Sequence, residues 1–152
     1  MPFSLDANIL VYGADGTDRL KHRIAVDIID RCRYADCVLT LQCLGEFYAA
    51  TTRKQHLARD IAAARVGDLM DMIPLIAPSP AGVRTAVRTA AAGLFSYWDA
   101  LLLATAAEAG CTAVLSDDMT DGATLAGVTV VNPFTLEGGI APAAATLIGI
   151  PG

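Results

Sequence analysis

Apolar and polar positions along this chain switch between two periods. "FSL" at 3–5, "CVLTL" at 37–41, "PLIA" at 74–77, "CTAVLS" at 111–116 and "GVTVVNP" at 127–133 are short apolar runs closed by polar or turn residues. Runs of this length read as buried strands. Between them the spacing becomes helical. Leu20, Ile24, Ile28 and Cys32 recur every fourth residue within 18–33, and Asp18 stands where an N-cap belongs. Leu44, Phe47 and Tyr48 share one face of 42–54. Residues 58–72, "AGVRTAVRTAAAG" and "SYWDALLLATAAEAG" add three more helices, with Gly93 and Gly110 as C-terminal stops. "ANILVYGAD" reads as a brief helix directly after the first strand.

This alternation predicts an α/β chain of three layers, α/β/α, around a central and mainly parallel sheet. Its crossovers should be right-handed. Residues 1–134 form the expected domain. The Gly/Ala/Pro-rich tail, 135–152, is expected to pack loosely or against a partner.

Composition adds a hint of a partner. The chain is 54% hydrophobic, with glycine not counted, and its mean hydropathy is +0.47. Average usage is about 45–50% apolar with glycine included. Alanine contributes to the excess, and so does apolar surface to be covered by another chain; a homodimer is the expectation. The longest apolar run, "ALLLATAA" at 100–107, falls well short of the roughly 20 residues that cross a bilayer. Asp6 interrupts the first apolar residues and no basic leader precedes them, so a cytoplasmic protein is expected. Cys32, Cys37, Cys43 and Cys111 form no C-x-x-C pair and stand at no zinc-finger spacing from His22 or His56. They read as buried or half-buried thiols in a reducing compartment.

The net charge of −5 is uneven. Residues 1–66 hold nine Lys/Arg and eight Asp/Glu, whereas 67–152 hold two and eight. Such a chain is a poor non-specific nucleic-acid binder without local basic groups or bound cations.

Several acids stand where strands end. Asp6 follows "FSL". Glu46 lies early in the helix after the second strand. Asp99 opens the apolar "WDALLLATAA" helix. Asp117 and Asp118 follow "TAVLS". In an open parallel sheet the C-terminal strand ends share one edge, and ligands bind outside it. Four segments would deliver carboxylates to one place. Their repulsion raises their pKa values, and one or two divalent cations relieve it. Oxygen ligands without Cys or His favour Mg²⁺ or Mn²⁺ over zinc. Taken singly, each acid has an ordinary alternative: Asp6 and Asp99 as caps, Asp118 in a turn with Gly122, Glu46 as a solvated helix residue.

"LDANILVY", "LGEFYAATTRK", "SYWDALLLATAAEAGC" and "VLSDDMTDG…GVTVVNPF" resemble the successive motifs of PIN domains, and in particular of VapC-type toxins. The resemblance runs from about residue 3 to 134. It implies a metal-dependent endoribonuclease, the toxin of a type II toxin–antitoxin pair, with an antitoxin protein as partner. Its acidic residues map to Asp6, Glu46, Asp99 and Asp118. Asn8 stands at the small polar position after the first acid, and Ser116 begins the Ser-x-Asp pattern. Asp117 is an alternative for the fourth acid. Mg²⁺ or Mn²⁺ would be held by Asp6, Asp99 and Asp118, with Glu46 orienting or deprotonating a water or completing a second metal shell. Asn8 and Ser116 would hydrogen-bond carboxylates or phosphate oxygens. Many relatives carry a more basic surface than this chain.

Arg53, Lys54 and Arg59 are candidate contacts to an RNA backbone, set against a plain solvated helix end. Tyr97 and Trp98 allow base stacking, although packing at the helix start is the stronger expectation. Alternatives on other lines are a nuclease or phosphatase of the same fold outside any toxin system, and a non-catalytic receiver or scaffold module. "DGT" at 15–17 comes too late after a strand for an aspartyl-phosphate motif. A receiver needs a lysine at a strand end, whereas Lys21 and Lys54 lie in helical stretches. Cys43 with His56 lacks an orienting third group.

Overall fold

The structure is a computed structural model and describes residues 1–53 and 56–150. Strand β1 (Phe3–Leu5) leads into α1 (Ala7–Ala14) and α2 (Arg19–Arg31). Then come β2 (Leu39–Thr40), α3 (Leu41–Thr52), α4 (Arg59–Met72), β3 (Leu75–Ile76), α5 (Pro80–Ala91) and α6 (Tyr97–Glu108). The chain continues through β4 (Ala113–Leu115), β5 (Thr124–Leu125), β6 (Val128–Val131) and α7 (Pro142–Leu147).

One sheet has the order β1-β4-β6-β5, and β2 pairs with β3. A parallel bridge from Phe3 to Cys37 joins the two sets, and the Val38 N–H donates to the Phe3 carbonyl at 2.9 Å. The combined order is therefore β3-β2-β1-β4-β6-β5. Every pairing is parallel except β5 with β6. That edge hairpin, absent from the sequence reading, turns on Ala126 (φ 53°) and Gly127 (φ 81°). Two successive left-handed residues suit the twist of a two-residue hairpin.

Successive residues of β4 face opposite ways. Ala113 and Leu115 join a core with Phe3, Leu5, Ile9, Leu10, Ile28, Leu44, Phe47 and Leu69, which draws on α1 to α4. Val114 turns to the other face and packs with Leu102, Leu103, Val128 and Val130. The sheet thus separates two layers of helix. Helix α6 is buried at every residue from Ala100 to Ala106 because it is wedged between the sheet and α5, whose Ala86 meets Ala100 and Leu101. A helix apolar on all sides belongs in such a place.

Caps explain most helix starts. Asp18, Thr40, Ser79 and Ser96 each accept from the backbone N–H three residues on. The tail differs from the expectation of loose packing. Ala144 of α7 and Ile148, its C-cap, are buried in the larger core, and the Ala141 N–H donates to the Pro133 carbonyl at 2.8 Å. Alanine supplies enough apolar surface to dock a short helix without showing a helical stripe.

Candidate functional site

Parallel pairing places the ends of β1 and β4 side by side, with Leu5 opposite Leu115. The Asp6 N–H donates to the Leu115 carbonyl at 2.9 Å, and the Ser116 N–H to the Val131 carbonyl at 3.0 Å. Both strands stop there and leave their next side chains at the sheet edge. Asp6 caps α1, its Oδ1 accepting from the Ala7 N–H at 2.7 Å. Its Oδ2 accepts from the Ser116 hydroxyl at 2.8 Å. The same Ser116 oxygen accepts from the Asp118 N–H at 3.2 Å and the Met119 N–H at 3.4 Å. Ser116 therefore fixes both the first acid and the turn that carries the last ones.

Asp6, Glu46 and Asp118 line one cleft of about 480 Å³, together with Asn8, Tyr12 and Arg53. Asp118 also borders a neighbouring cleft with Asp99 and Ser96. Helix α6 runs back against β4, so its first turn, with Asp99, arrives at the same sheet edge. Asp6 is 7% exposed, Asp99 is half-buried, and Glu46 and Asp118 are exposed. Burial pushes the Asp6 carboxyl up to about 6; the Ser116 and Ala7 hydrogen bonds oppose this, and the charges of Asp99 and Asp118 add to it. Asp118 is raised too, first by burial and then by the charge of Asp117, with Asn8 opposing and Asp99 adding. The capping role and the clustering of Asp6 are thus both present in one side chain.

Asp117 has a different environment from its neighbour. Its Oδ2 accepts from Lys21 Nζ at 2.7 Å and from the Tyr12 hydroxyl at 3.0 Å. Its Oδ1 accepts from Asn8 Nδ2. The side chain is 7% exposed. No ion pair to Asp6, Glu46, Asp99 or Asp118 is found among the described residues.

The donors fit a hard cation in kind: carboxylates, plus a buried Asn8 Oδ1 with no hydrogen-bond partner. Among the described residues, no three Asp, Glu, His or Cys side chains stand close enough to hold an ion as they are placed. The exposed side chains of Asp118 and Glu46 are the ones able to turn inward. Glu46 Oε1 accepts from Gln42 Nε2 at 2.7 Å, and that nitrogen also donates to the Trp98 carbonyl at 2.9 Å.

Other sequence candidates divide. Arg53 lines the cleft; Arg59 opens α4 and is not among its lining residues; Lys54 lies outside the described residues. Trp98 is 61% exposed, contrary to the expectation of packing. It meets Tyr97 edge-on with ring centroids 4.9 Å apart and borders an apolar groove shared with Glu46 and Leu41. Cys43 is buried, its thiol 3.2 Å from the Thr40 carbonyl and pushed up to about 12 by burial, so it is no nucleophile. All four cysteines are free and buried. Among the described residues no helix is long and apolar enough to cross a membrane. No local spacing links Tyr12 or Lys21 to the acid they touch, whereas Gln42 and Glu46 stand four residues apart on α3.

A family model described as the PIN domain matches residues 4–121. No curated protein matches the sequence. Among solved structures, the chain is similar to VapC20 of Mycobacterium tuberculosis, a Sarcin-Ricin loop cleaving toxin. The TM-score is 0.62 at 15% identity, covering 74% of this chain and 86% of that one. VapBC2 from Rickettsia felis, bound to a DNA fragment from their promoter, gives 0.62 at 12% identity, covering 86% and 97%. VapBC-1 from nontypeable Haemophilus influenzae gives 0.54 at 12% identity, covering 78% and 87%. At these identities the likeness is one of fold.

Proposed function

The chain belongs to the PIN domain family, and from that premise we propose that it is a Mg²⁺- or Mn²⁺-dependent endoribonuclease, the toxin of a type II toxin–antitoxin pair. The observation that carries the reading is the convergence of separate acids on one edge. Asp6 and Asp118, 112 positions apart in the chain, line a single cleft with Glu46, and the Asp99 charge acts on both.

Asp6, Asp99 and Asp118 would hold the cation. Bound there, it would supply a Lewis acid for the scissile phosphate and lower the pKa of a water. Asp117 is left out of this set because its oxygens are already engaged by Lys21, Tyr12 and Asn8. Glu46 would take a proton from the attacking water. Gln42, donating to Oε1, turns the Glu46 carboxylate. Ser116 keeps Asp6 ionisable by stabilising its charged form. Arg53, on the cleft wall, would hold a backbone phosphate and compensate in part for an acidic chain.

An antitoxin and a second copy of the chain belong to the same reading. The apolar excess leaves surface for them. Val87 is 52% exposed, Leu94 72% and Trp98 61%, and a groove with Val26, Ile29 and Met72 among its apolar lining and Asp30, Arg33, Arg65 and Asp68 among its charged lining lies apart from Asp6, Glu46, Asp99 and Asp118. The fold it shares with VapC20 makes a sarcin–ricin loop RNA the first substrate to try. Purified protein should cut RNA with Mn²⁺ and not with EDTA, Asp99→Asn should not cut it, and expression of the wild type but not of Asp99→Asn should arrest growth. Wild-type protein that leaves RNA intact with either cation contradicts the reading.

A further inference from the structure

Lys21 stands at the rim of the acidic edge, held by several groups. Its Nζ donates to Asp117 Oδ2 at 2.7 Å and lies 3.4 Å from the Tyr12 hydroxyl. It lies 5.1 Å from the Tyr12 ring centroid and 5.3 Å from that of Phe134. These two rings pack edge to face at 5.4 Å. The Tyr12 hydroxyl donates to the same Asp117 oxygen at 3.0 Å. Asn8 Nδ2 donates to the other one. An ionised carboxylate only accepts, so Asp117 decides which end of the Asn8 amide faces it. The nitrogen is engaged, and the Asn8 oxygen is left buried without a partner, in a residue that lines the cleft with Asp6 and Asp118.

Resting on the ribonuclease reading above, we infer that Lys21 and Tyr12 are positioning residues that act through Asp117 and Asn8. They anchor Asp117 away from the cation site. Asp117 in turn keeps the Asn8 oxygen, not its N–H, available to that site. Without the anchor the Asn8 amide turns and presents its N–H where the cation needs an acceptor. Two adjacent aspartates thereby take separate roles, and Lys21 sets which is which.

A merely electrostatic role for Lys21 has the opposite signature. Removing a cation next to a group of carboxylates strengthens the binding of Mn²⁺, whereas losing a positioning contact weakens it. Mn²⁺ alone is titrated by calorimetry into wild type, Lys21→Met, Lys21→Arg, Tyr12→Phe and Asp118→Asn, with the fold of each checked by circular dichroism. Lys21→Met is expected to lose about tenfold or more in Mn²⁺ affinity, and Lys21→Arg to recover most of it. Tyr12→Phe, which leaves charge and ring unchanged, is expected to lose about threefold, the worth of one modest hydrogen bond. In RNA cleavage kcat falls in these variants while KM holds. Lys21→Met that binds Mn²⁺ as tightly as wild type, or more tightly, overturns the inference. Should Lys21→Met not fold, unchanged Mn²⁺ affinity in Tyr12→Phe overturns it alone. Wild type that binds no better than Asp118→Asn fails the ribonuclease reading itself, and the positioning role falls with it.

Discussion

The Ser116 hydroxyl donates to Asp6 Oδ2 at 2.8 Å, tying the ends of two paired strands together across 110 positions of sequence. The same oxygen accepts from two backbone N–H groups of the turn that carries Asp118. Ser116→Ala removes all of these bonds at a buried place. Loss of stability of about 1–3 kcal/mol is expected, measured by urea unfolding. The bond also favours the ionised form of Asp6, so in metal-free buffer the Asp6 carboxyl of Ser116→Ala should titrate above the value of about 6 in the wild type, as read by carboxyl-carbon NMR.

The pH dependence of stability has a definite sign at Asp6. Its carboxyl lies at about 6 in the folded chain, against an ordinary 3.8. Between those values the folded state binds the proton that the unfolded state has lost, so stability falls as pH rises through that window. The full effect is at most about 3 kcal/mol, from the two-unit displacement. Asp6→Asn should remove the Asp6 share of this slope, leaving that of the likewise raised Asp118, and unfold later than wild type at pH 7 without metal. Asparagine still caps α1, and the Ser116 hydroxyl can turn to accept. Saturating Mn²⁺ should reverse the order of the two proteins.

Much of this arrangement was written locally. Asp6 and the 116–118 segment close apolar runs, and parallel pairing of Leu5 with Leu115 then brings them together. Helix starts were legible where a capping side chain stands three residues before its target, as with Asp18 and Lys21. Strand β5 was not, because two residues of strand make no pattern and its existence rests on register with β6. Helix α7 was missed because its burial comes from tertiary contact of alanines, without a periodic stripe. The different environments of Asp117 and Asp118 were also hidden. They are set by Lys21, 96 positions away, and by Tyr12, which no spacing rule connects to either. Trp98 read as core by residue type, yet its place in the first turn of α6 leaves it largely exposed.

Glu46 is expected to act on the water and not on cation affinity. Glu46→Gln keeps the size of the side chain and should lower kcat about 10²–10⁴-fold, while Mn²⁺ affinity by calorimetry stays within about threefold of wild type. A large loss of affinity would instead make Glu46 a ligand.

Arg53 lines the same cleft as Asp6 and Glu46. Arg53→Ala should raise KM for RNA, leave kcat at saturation nearly unchanged, and reduce the salt dependence of RNA binding by about one phosphate contact. Fluorescence anisotropy across a salt series measures it.

The central claim is that acids from distant segments share a cation at the edge where β1 and β4 end. A crystal soaked in Mn²⁺ tests this most directly through anomalous scattering. The account predicts a peak bounded by Asp6, Asp99 and Asp118, with Asp117 still held by Lys21. A fully soaked crystal with no peak at that edge, or with Mn²⁺ bound only elsewhere, contradicts it.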